Sequence, residues 1–200
     1  MSPRGLPAPS DELPELPSTK LGTKPLWRIH AADVAPWFFD VGPDGRFNLA
    51  ESGTCYLAEE PIGAFVEKFG RLLRPGGVIP EPLIDAQRLS RLRPPKANVV
   101  DLTDPTVLGL IGLTAEIHST PDYNLTQGWA LALQEAGYAG IRYKARHDPR
   151  GQLVSIALFG SGKKSPRSAA KTTAVPIDLI HEASTTFAIA VLPRRHSRRR

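Results

Sequence analysis

The sequence predicts an α+β domain in which short strands alternate with helices. Several short runs alternate apolar and polar residues, which is the period of a strand. Two other stretches place apolar residues three and four positions apart, which is the period of a helix buried on one face. Of the 200 residues, 41% are hydrophobic. This is enough apolar material for one core but hardly for two.

The first 25 residues are predicted to be a flexible leader. Proline recurs through them without aliphatic periodicity, at Pro3, Pro7, Pro9, Pro14 and Pro17, and such a composition disfavours packing. Order is expected to begin at Leu26. The domain is therefore placed at residues 26–192, followed by an Arg-rich tail at 193–200.

Strands and one helix are predicted in the first half of the domain. Strands are predicted at residues 26–30 and 54–58. Between them, residues 42–45 are predicted to form a turn, and Arg46–Asn48 to follow it as an extended segment. Pro61 then opens a helix, because proline suits the first turn. Its buried stripe is closed by Gly70 and consists of Ile62, Phe65, Val66 and Phe69.

The second half begins with an excursion at 71–96, expected to carry specificity rather than core, with a short helix at 85–92. A helix at 124–136 is expected to stop at Gly137, since glycine is a common C-terminal cap. A basic linker is placed at 160–172. The remaining predicted elements are strands at 98–102, 140–143, 153–159 and 185–192 and a helix at 105–113.

The charge distribution argues against direct nucleic-acid binding. The net charge is +5, and five arginines lie in the last seven residues. A basic tail on a body without net positive charge is usually a solvated end. A nucleic-acid-associated protein acting through this tail stays as the weakest alternative.

Several classes of protein are excluded. The single cysteine, Cys55, rules out a disulfide framework, and the five histidines lie too far apart for a metal motif. No apolar run is long enough to span a membrane, and no secretory signal is present, so we expect a cytoplasmic protein. Gly160–Ser165 lacks the spacing of a phosphate-binding loop, and neither a nucleophile elbow nor a Rossmann fingerprint occurs.

Four residues of the first half form a candidate site: Arg28, Arg46, Tyr56 and Glu67. Two guanidiniums can grip a pyrophosphate, a tyrosine ring can stack on a base, and a carboxylate can oppose positive charge on a reacting sugar. Each has a structural alternative, as a solvated strand residue, part of the core or a surface helix residue.

A series of segments resembles the RES-domain family, the toxin half of RES-Xre toxin-antitoxin pairs. The match spans roughly residues 26–160 and rests on the order and spacing of its segments. These are Leu26-Trp27-Arg28-Ile29, Gly45-Arg46-Phe47-Asn48, Gly53-Thr54-Cys55-Tyr56-Leu57-Ala58, Ala64-Phe65-Val66-Glu67, Gly140-Ile141-Arg142-Tyr143 and Ala157-Leu158-Phe159.

This resemblance implies a fold related to the ADP-ribosyltransferase toxins and cleavage of the nicotinamide-ribose bond of NAD, with water or phosphate as acceptor. By motif position, Glu67 and Arg46 are the catalytic residues, while Arg28, Arg46 and Tyr56 bind NAD. NAD is then a substrate, and neither a cofactor nor a metal is expected. The resemblance implies an Xre-type helix-turn-helix antitoxin as the partner. It leaves open whether the protein forms a homodimer within that complex.

Two details refine the resemblance. The sequence has Ala145 near the position where the family often carries a serine, which keeps a catalytically impaired binding module as an alternative. On a helical wheel, Glu67 lies opposite the buried stripe, beside Gly63 and Gly70. An active carboxylate there requires a cleft on that side of the helix.

Overall fold

The structure is a computed structural model that describes residues 5–73, 76–160 and 171–193. Its strands are β1 (Ser18–Lys20), β2 (Leu26–Ala31), β3 (Thr54–Ala58), β4 (Val78–Pro80), β5 (Gln87–Leu92), β6 (Asn98–Asp101), β7 (Gly140–Lys144), β8 (Val154–Phe159), β9 (Lys171–Ala174) and β10 (Ala190–Leu192). Its α-helices are α1 (Pro61–Phe69), α2 (Glu81–Asp85), α3 (Pro105–Leu110), α4 (Tyr123–Glu135) and α5 (Ile177–Phe187). Two 3-10 turns lie at Gly70–Leu72 and Ala115–His118.

Eight of these strands form one sheet in the order β1-β6-β7-β8-β3-β2-β5-β9. Strands β6 and β7 are parallel, and the other neighbours are antiparallel. Strands β4 and β10 pair in parallel as a separate small sheet. The helices lie between and after the strands, so the predicted α+β class is confirmed.

Apolar side chains cover both faces of the large sheet. One face carries two clusters, one around α1 with Phe65 and Phe69 and one under α4 with Trp129 and Leu133. On the opposite face, Leu26, Cys55, Leu57, Ile156 and Leu158 pack with Trp37 and Phe39. Alternation along β3 separates the faces, since Cys55 and Leu57 point away from Tyr56.

The two predicted amphipathic helices are confirmed. Helix α1 buries Ile62, Phe65, Val66 and Phe69 and ends before Gly70. Helix α4 ends close to Gly137, whose positive φ of 88° suits glycine. The longest helix, α4, has 13 residues, and the described part of the chain contains no helix with the length and apolarity to cross a membrane.

The leader predicted for residues 1–25 is packed on the domain in its described part, from residue 5. Leu16 is 4% exposed, and the Tyr138 hydroxyl accepts from its N–H and donates to its carbonyl, both at 3.0 Å. Trp129 donates its indole N–H to the carbonyl of Pro7 at 2.9 Å, and β1 pairs with β6. Scattered leucines and backbone hydrogen bonds therefore dock a segment that has no regular periodicity.

Replacing Leu16 with alanine is expected to lower the free energy of unfolding by about 2–4 kcal/mol, as for other buried leucines. Leu131→Ala is the control, because that side chain is 48% exposed and a surface substitution changes stability by only about 0.5 kcal/mol. Urea unfolding of both variants checks this. Equal stability of the two variants would show that the leader does not belong to the core.

The interpretation of residues 71–96 as an excursion with a helix at 85–92 is wrong. Helix α2 ends at Asp85, and the following residues form β5, which pairs along its full length with β2. Strand β5 also pairs with β9, so it lies inside the sheet. Pairing on both sides outweighs the helical tendency of this polar sequence.

The predicted strand at 185–192 is correct only at its end. Residues 185–187 complete α5, and Ala188 then terminates it with a φ of 51°. Strand β10 begins at Ala190. Within the predicted basic linker 160–172, residues 161–170 lie outside the described residues and the last two belong to β9. Of the predicted tail 193–200, residues 194–200 lie outside them as well.

Candidate functional site

A cavity of about 540 Å³ lies where β2 and β3 separate. Strand β2 makes six residue pairs with β5 but only one with β3, between Trp27 and Ala58. The facing parts of the two strands, with Ile29 and Tyr56 among them, line the cavity instead of pairing. This volume is typical of small-molecule sites.

All four residues predicted for the site line this one cavity. Arg28 reaches it from β2, Tyr56 from β3 and Glu67 from α1. Arg46 lies in a turn and not in the extended segment that the sequence predicts. The structure therefore brings together residues from four separate segments.

Arg46 is a buried cation with unused donors. The residue is 8% exposed, and its Nη2 donates to the carbonyl of Ile117. Its Nε and Nη1 are buried and have no hydrogen-bond partner among the described residues. Burial lowers the pKa of this guanidinium, while Tyr143 and Glu67 oppose that effect. Because unpaired buried donors are costly, an anion is the expected occupant of this position.

Tyr56 and Asn48 hold the turn that carries Arg46. The Tyr56 hydroxyl accepts from the backbone N–H of Phe47 at 2.8 Å and donates to Oδ1 of Asn48 at 2.9 Å. Burial raises the pKa of Tyr56 strongly, which keeps the hydroxyl protonated. A side chain on Gly45 would collide with Asn48, 2.1 Å from a Cβ at that position. The tyrosine hydroxyl is thus a structural support, and stacking of its ring on a base stays a prediction.

Helix α4 fastens the same turn from outside. Gln127 donates to the carbonyls of Pro43 at 2.9 Å and Gly45 at 2.8 Å. The Thr126 hydroxyl donates to the carbonyl of Arg46. These contacts fix the backbone at Arg46, so its guanidinium is preorganised for a ligand.

Glu67 lies on the face of α1 that the helical wheel predicts, and the cavity lies on that side. Its Oε1 is buried without a hydrogen-bond partner among the described residues. Burial raises the pKa of Glu67, whereas the hydroxyls of Ser155 and Tyr143 and the charge of Arg46 oppose that rise. The ion pairs seen between described residues join Arg142 to Glu59 and Asp101 and Arg150 to Asp148, and not Arg46 to Glu67.

Arg28 contributes a partly occupied guanidinium. Its Nη1 donates to the carbonyls of Pro36 at 2.7 Å and Phe38 at 2.8 Å and contacts Sγ of Cys55 at 3.0 Å. This nitrogen therefore holds the segment that covers the far face of the sheet. A phosphate grip by Arg28 must use the other nitrogens of its side chain.

The cavity is rich in positive charge. Its lining includes five lysines and arginines but only three acidic residues: Arg28, Arg46, Lys68, Arg71 and Arg146 against Asp40, Asp44 and Glu67. Since the chain's net charge is accounted for by the arginines of its tail, this local excess is a property of the cavity. Such a lining favours an anionic ligand.

Sequence reasoning missed several lining residues. Tyr143, Arg146 and His147 lie at the end of β7 and just beyond it, where polar side chains after a buried strand were the available signal. Lys68 follows Glu67 on α1, and Arg71 lies in the 3-10 turn after that helix. Ala145 is 3% exposed and packs in the cluster around α1. The hydroxyls of Ser155 and Tyr143 both lower the pKa of Glu67.

No metal-binding cluster is found in this part of the molecule. Throughout residues 5–73, 76–160 and 171–193, no group of three histidine, cysteine, aspartate or glutamate side chains is placed to hold a metal ion.

Burial lowers the pKa of His118, near Arg46 and Lys144, to about 4. This imidazole is therefore neutral at physiological pH.

His147 packs directly against the end of α1. A Cβ on Gly70 would lie 2.4 Å from the imidazole ring, so glycine is required for this approach. Burial lowers the pKa of His147, and the charges of Arg146, Arg46 and Arg71 lower it further. The imidazole is thus a neutral group on the cavity wall near Glu67.

Replacing Gly70 with alanine is expected to displace His147, to raise the pKa of its imidazole towards the ordinary value, and to destabilise the fold by about 1–3 kcal/mol through overpacking. Gly109→Ala is the control, since nothing lies within 4 Å of a Cβ there and alanine favours helix. NMR titration of the histidines and thermal unfolding measure both effects. An unchanged His147 titration would contradict the packing described.

Comparison with known protein families identifies one family. A family model described as the RES domain matches residues 25–180. Among solved structures, the chain is similar to a chain from the crystal structure of the M. tuberculosis MbcT-MbcA toxin-antitoxin complex. The TM-score is 0.65 at 18% sequence identity, covering 84% of this chain and 93% of that one. No curated protein matches the sequence.

Proposed function

The chain belongs to the RES domain family, and on this premise we propose that it is a toxin that degrades cellular NAD by cleaving the nicotinamide-ribose bond. One observation carries the proposal. Within the part of the chain that the structure describes, one cavity holds a buried guanidinium with two nitrogens that have no hydrogen-bond partner and a buried carboxylate with one such oxygen. NAD presents the two complementary groups, a pyrophosphate and a ribose that becomes positively charged during cleavage.

Arg46 is assigned to the pyrophosphate. Its free Nε and Nη1 can donate together to phosphate oxygens, because the guanidinium is planar. Arg28 and the other cations of the lining add to the attraction for this group. Tyr56 acts through the turn that positions Arg46, in addition to its predicted contact with the base.

Glu67 is assigned to the ribose. When the bond between C1′ and the pyridinium nitrogen breaks, its electron pair returns to the ring and neutral nicotinamide leaves. The sugar then carries an oxocarbenium-like charge, which a fixed carboxylate stabilises more than it stabilises the ground state. The acceptor oxygen bonds to C1′ and loses its proton. No general acid is required, because the leaving group is already cationic.

An antitoxin partner follows from the same assignment. The similar solved structure is by its title a toxin-antitoxin complex, and a cell that makes a toxin able to deplete its NAD survives only if that toxin is neutralised. We propose an Xre-type helix-turn-helix protein for this role. An adjacent reading frame encoding such a protein would support the assignment.

Controlled expression tests the proposal in cells. Inducing the protein is expected to lower cellular NAD before growth stops, and co-expressing the antitoxin is expected to prevent both effects. Growth arrest with constant NAD would contradict NAD cleavage. Normal growth with constant NAD would favour the binding-module alternative, for which the specific observation is the buried Ala145 without a hydroxyl.

A further inference from the structure

Ser155 lies in the sheet beside Tyr143, which lines the cavity, and no contact among the described residues gives it a structural duty. It is on β8, directly opposite Tyr143 on β7 and Ala58 on β3. This register places its side chain on the face of the sheet that packs against α1. The residue is completely buried, and its Oγ has no hydrogen-bond partner among the described residues.

The hydroxyls of the other buried serine and threonine residues in the described part of the chain are all hydrogen-bonded. Thr54 and Thr126 donate to backbone carbonyls, Ser90 bonds to His30 and Thr172, and Thr120 accepts from the N–H of Asp122. A buried hydroxyl without a partner is costly and calls for an explanation. Ser155 is the exception among these five residues.

The explanation lies in Glu67. The Glu67 Oε1 is likewise buried without a hydrogen-bond partner among residues 5–73, 76–160 and 171–193. Burial raises the pKa of Glu67, and the hydroxyls of Ser155 and Tyr143 oppose that rise. A serine hydroxyl turns about a single bond, so it can direct its proton towards a neighbouring carboxylate. The register of β7 and β8 thus places two hydroxyl-bearing residues side by side in the sheet, on the face that packs against α1.

We propose that Ser155 is a positioning residue, whose hydroxyl donates to the Glu67 carboxylate and holds it ionised and aimed at the ribose. This inference rests on the proposed NAD cleavage. Serine is suited to the task because it is small enough for the buried site between the strands and α1. Tyr143 supports the same carboxylate, and its ring contacts Phe47 edge to face at 4.9 Å.

Two substitutions distinguish the effect of the Ser155 hydroxyl from the effect of the side-chain volume. Ser155→Ala removes the donor, whereas Ser155→Cys fills the space but donates weakly. Both variants are expected to lower kcat about tenfold, the scale of one lost hydrogen bond to a charged group, with the KM for NAD within about twofold. The pH at which kcat falls on the acid side is expected to rise, because Glu67 is then protonated more readily.

A second measurement does not depend on turnover. The side-chain carboxyl carbon of Glu67, assigned by its absence in Glu67→Gln, is titrated by NMR in the parent and both variants. The pKa of Glu67 is expected to be higher in both variants than in the parent. An unchanged pKa in Ser155→Ala, or full recovery of pKa and kcat in Ser155→Cys, would overturn the proposal. A parent that leaves NAD intact would instead contradict the proposed function, and the titration would still decide the role of Ser155.

Discussion

Replacing Glu67 with glutamine is expected to reduce NAD turnover by about a hundredfold or more and to abolish growth arrest. This is the scale observed when a group that stabilises transition-state charge is removed. Glutamine keeps the volume of the side chain, so the protein is expected to remain folded. Steady-state kinetics of nicotinamide release measures the effect.

The same substitution, Glu67→Gln, is expected to lower activity without lowering stability. Burial raises the pKa of Glu67, so the folded protein binds this proton more tightly than the unfolded chain does. Stability therefore falls as the pH rises through the ordinary range for glutamate towards the raised value. Glutamine removes that cost, and the Tm of Glu67→Gln at neutral pH is expected to equal or exceed that of the parent.

Glu60 provides the matched control on the same helix. It is the exposed N-cap residue of α1 and its side chain makes no capping hydrogen bond. Glu60→Gln removes the same charge, with at most about 0.3–1 kcal/mol of lost interaction with the helix dipole. It is expected to remain active and toxic. Loss of turnover in Glu60→Gln but not in Glu67→Gln would show that Glu67 is the wrong carboxylate.

Arg46→Lys is expected to raise the KM for NAD about tenfold or more, with a smaller change in kcat. Lysine keeps the charge but lacks the planar fork, so it cannot bond to the Ile117 carbonyl and a phosphate in the same way. The loss of one or two charge-assisted hydrogen bonds accounts for this factor. Initial rates over a range of NAD concentrations measure it.

Arg91→Lys is the control for this substitution, because Arg91 is an exposed residue of β5. Its kinetic constants are expected to match those of the parent. If Arg46→Lys also keeps the parental KM, Arg46 does not bind the substrate.

Local patterns predicted helix α1 and the strands at the centre of the sheet. The stripe of α1 and the strands β2, β3, β7 and β8 followed from apolar periodicity and turn residues. The same wheel placed Glu67 on the side where the cavity lies. These features depend on neighbours in sequence, which is why they could be predicted.

Features that depend on distant partners could not be predicted. The leader is fixed by Tyr138 and Trp129, more than a hundred positions away. Strand β5 is determined by pairing with β2 and β9, and not by its own polar sequence. The position of Ser155 under α1 depends on the register of β3, β7 and β8, and no local sequence pattern predicts that register.

The most direct test is to incubate the purified protein with NAD, with and without inorganic phosphate, and to identify the products by NMR and mass spectrometry. The proposed function predicts free nicotinamide in both reactions, together with ADP-ribose from water or its 1″-phosphate from phosphate. Glu67→Gln run in parallel is expected to release almost none. Intact NAD in the parental reaction, from folded protein, would contradict the proposed activity.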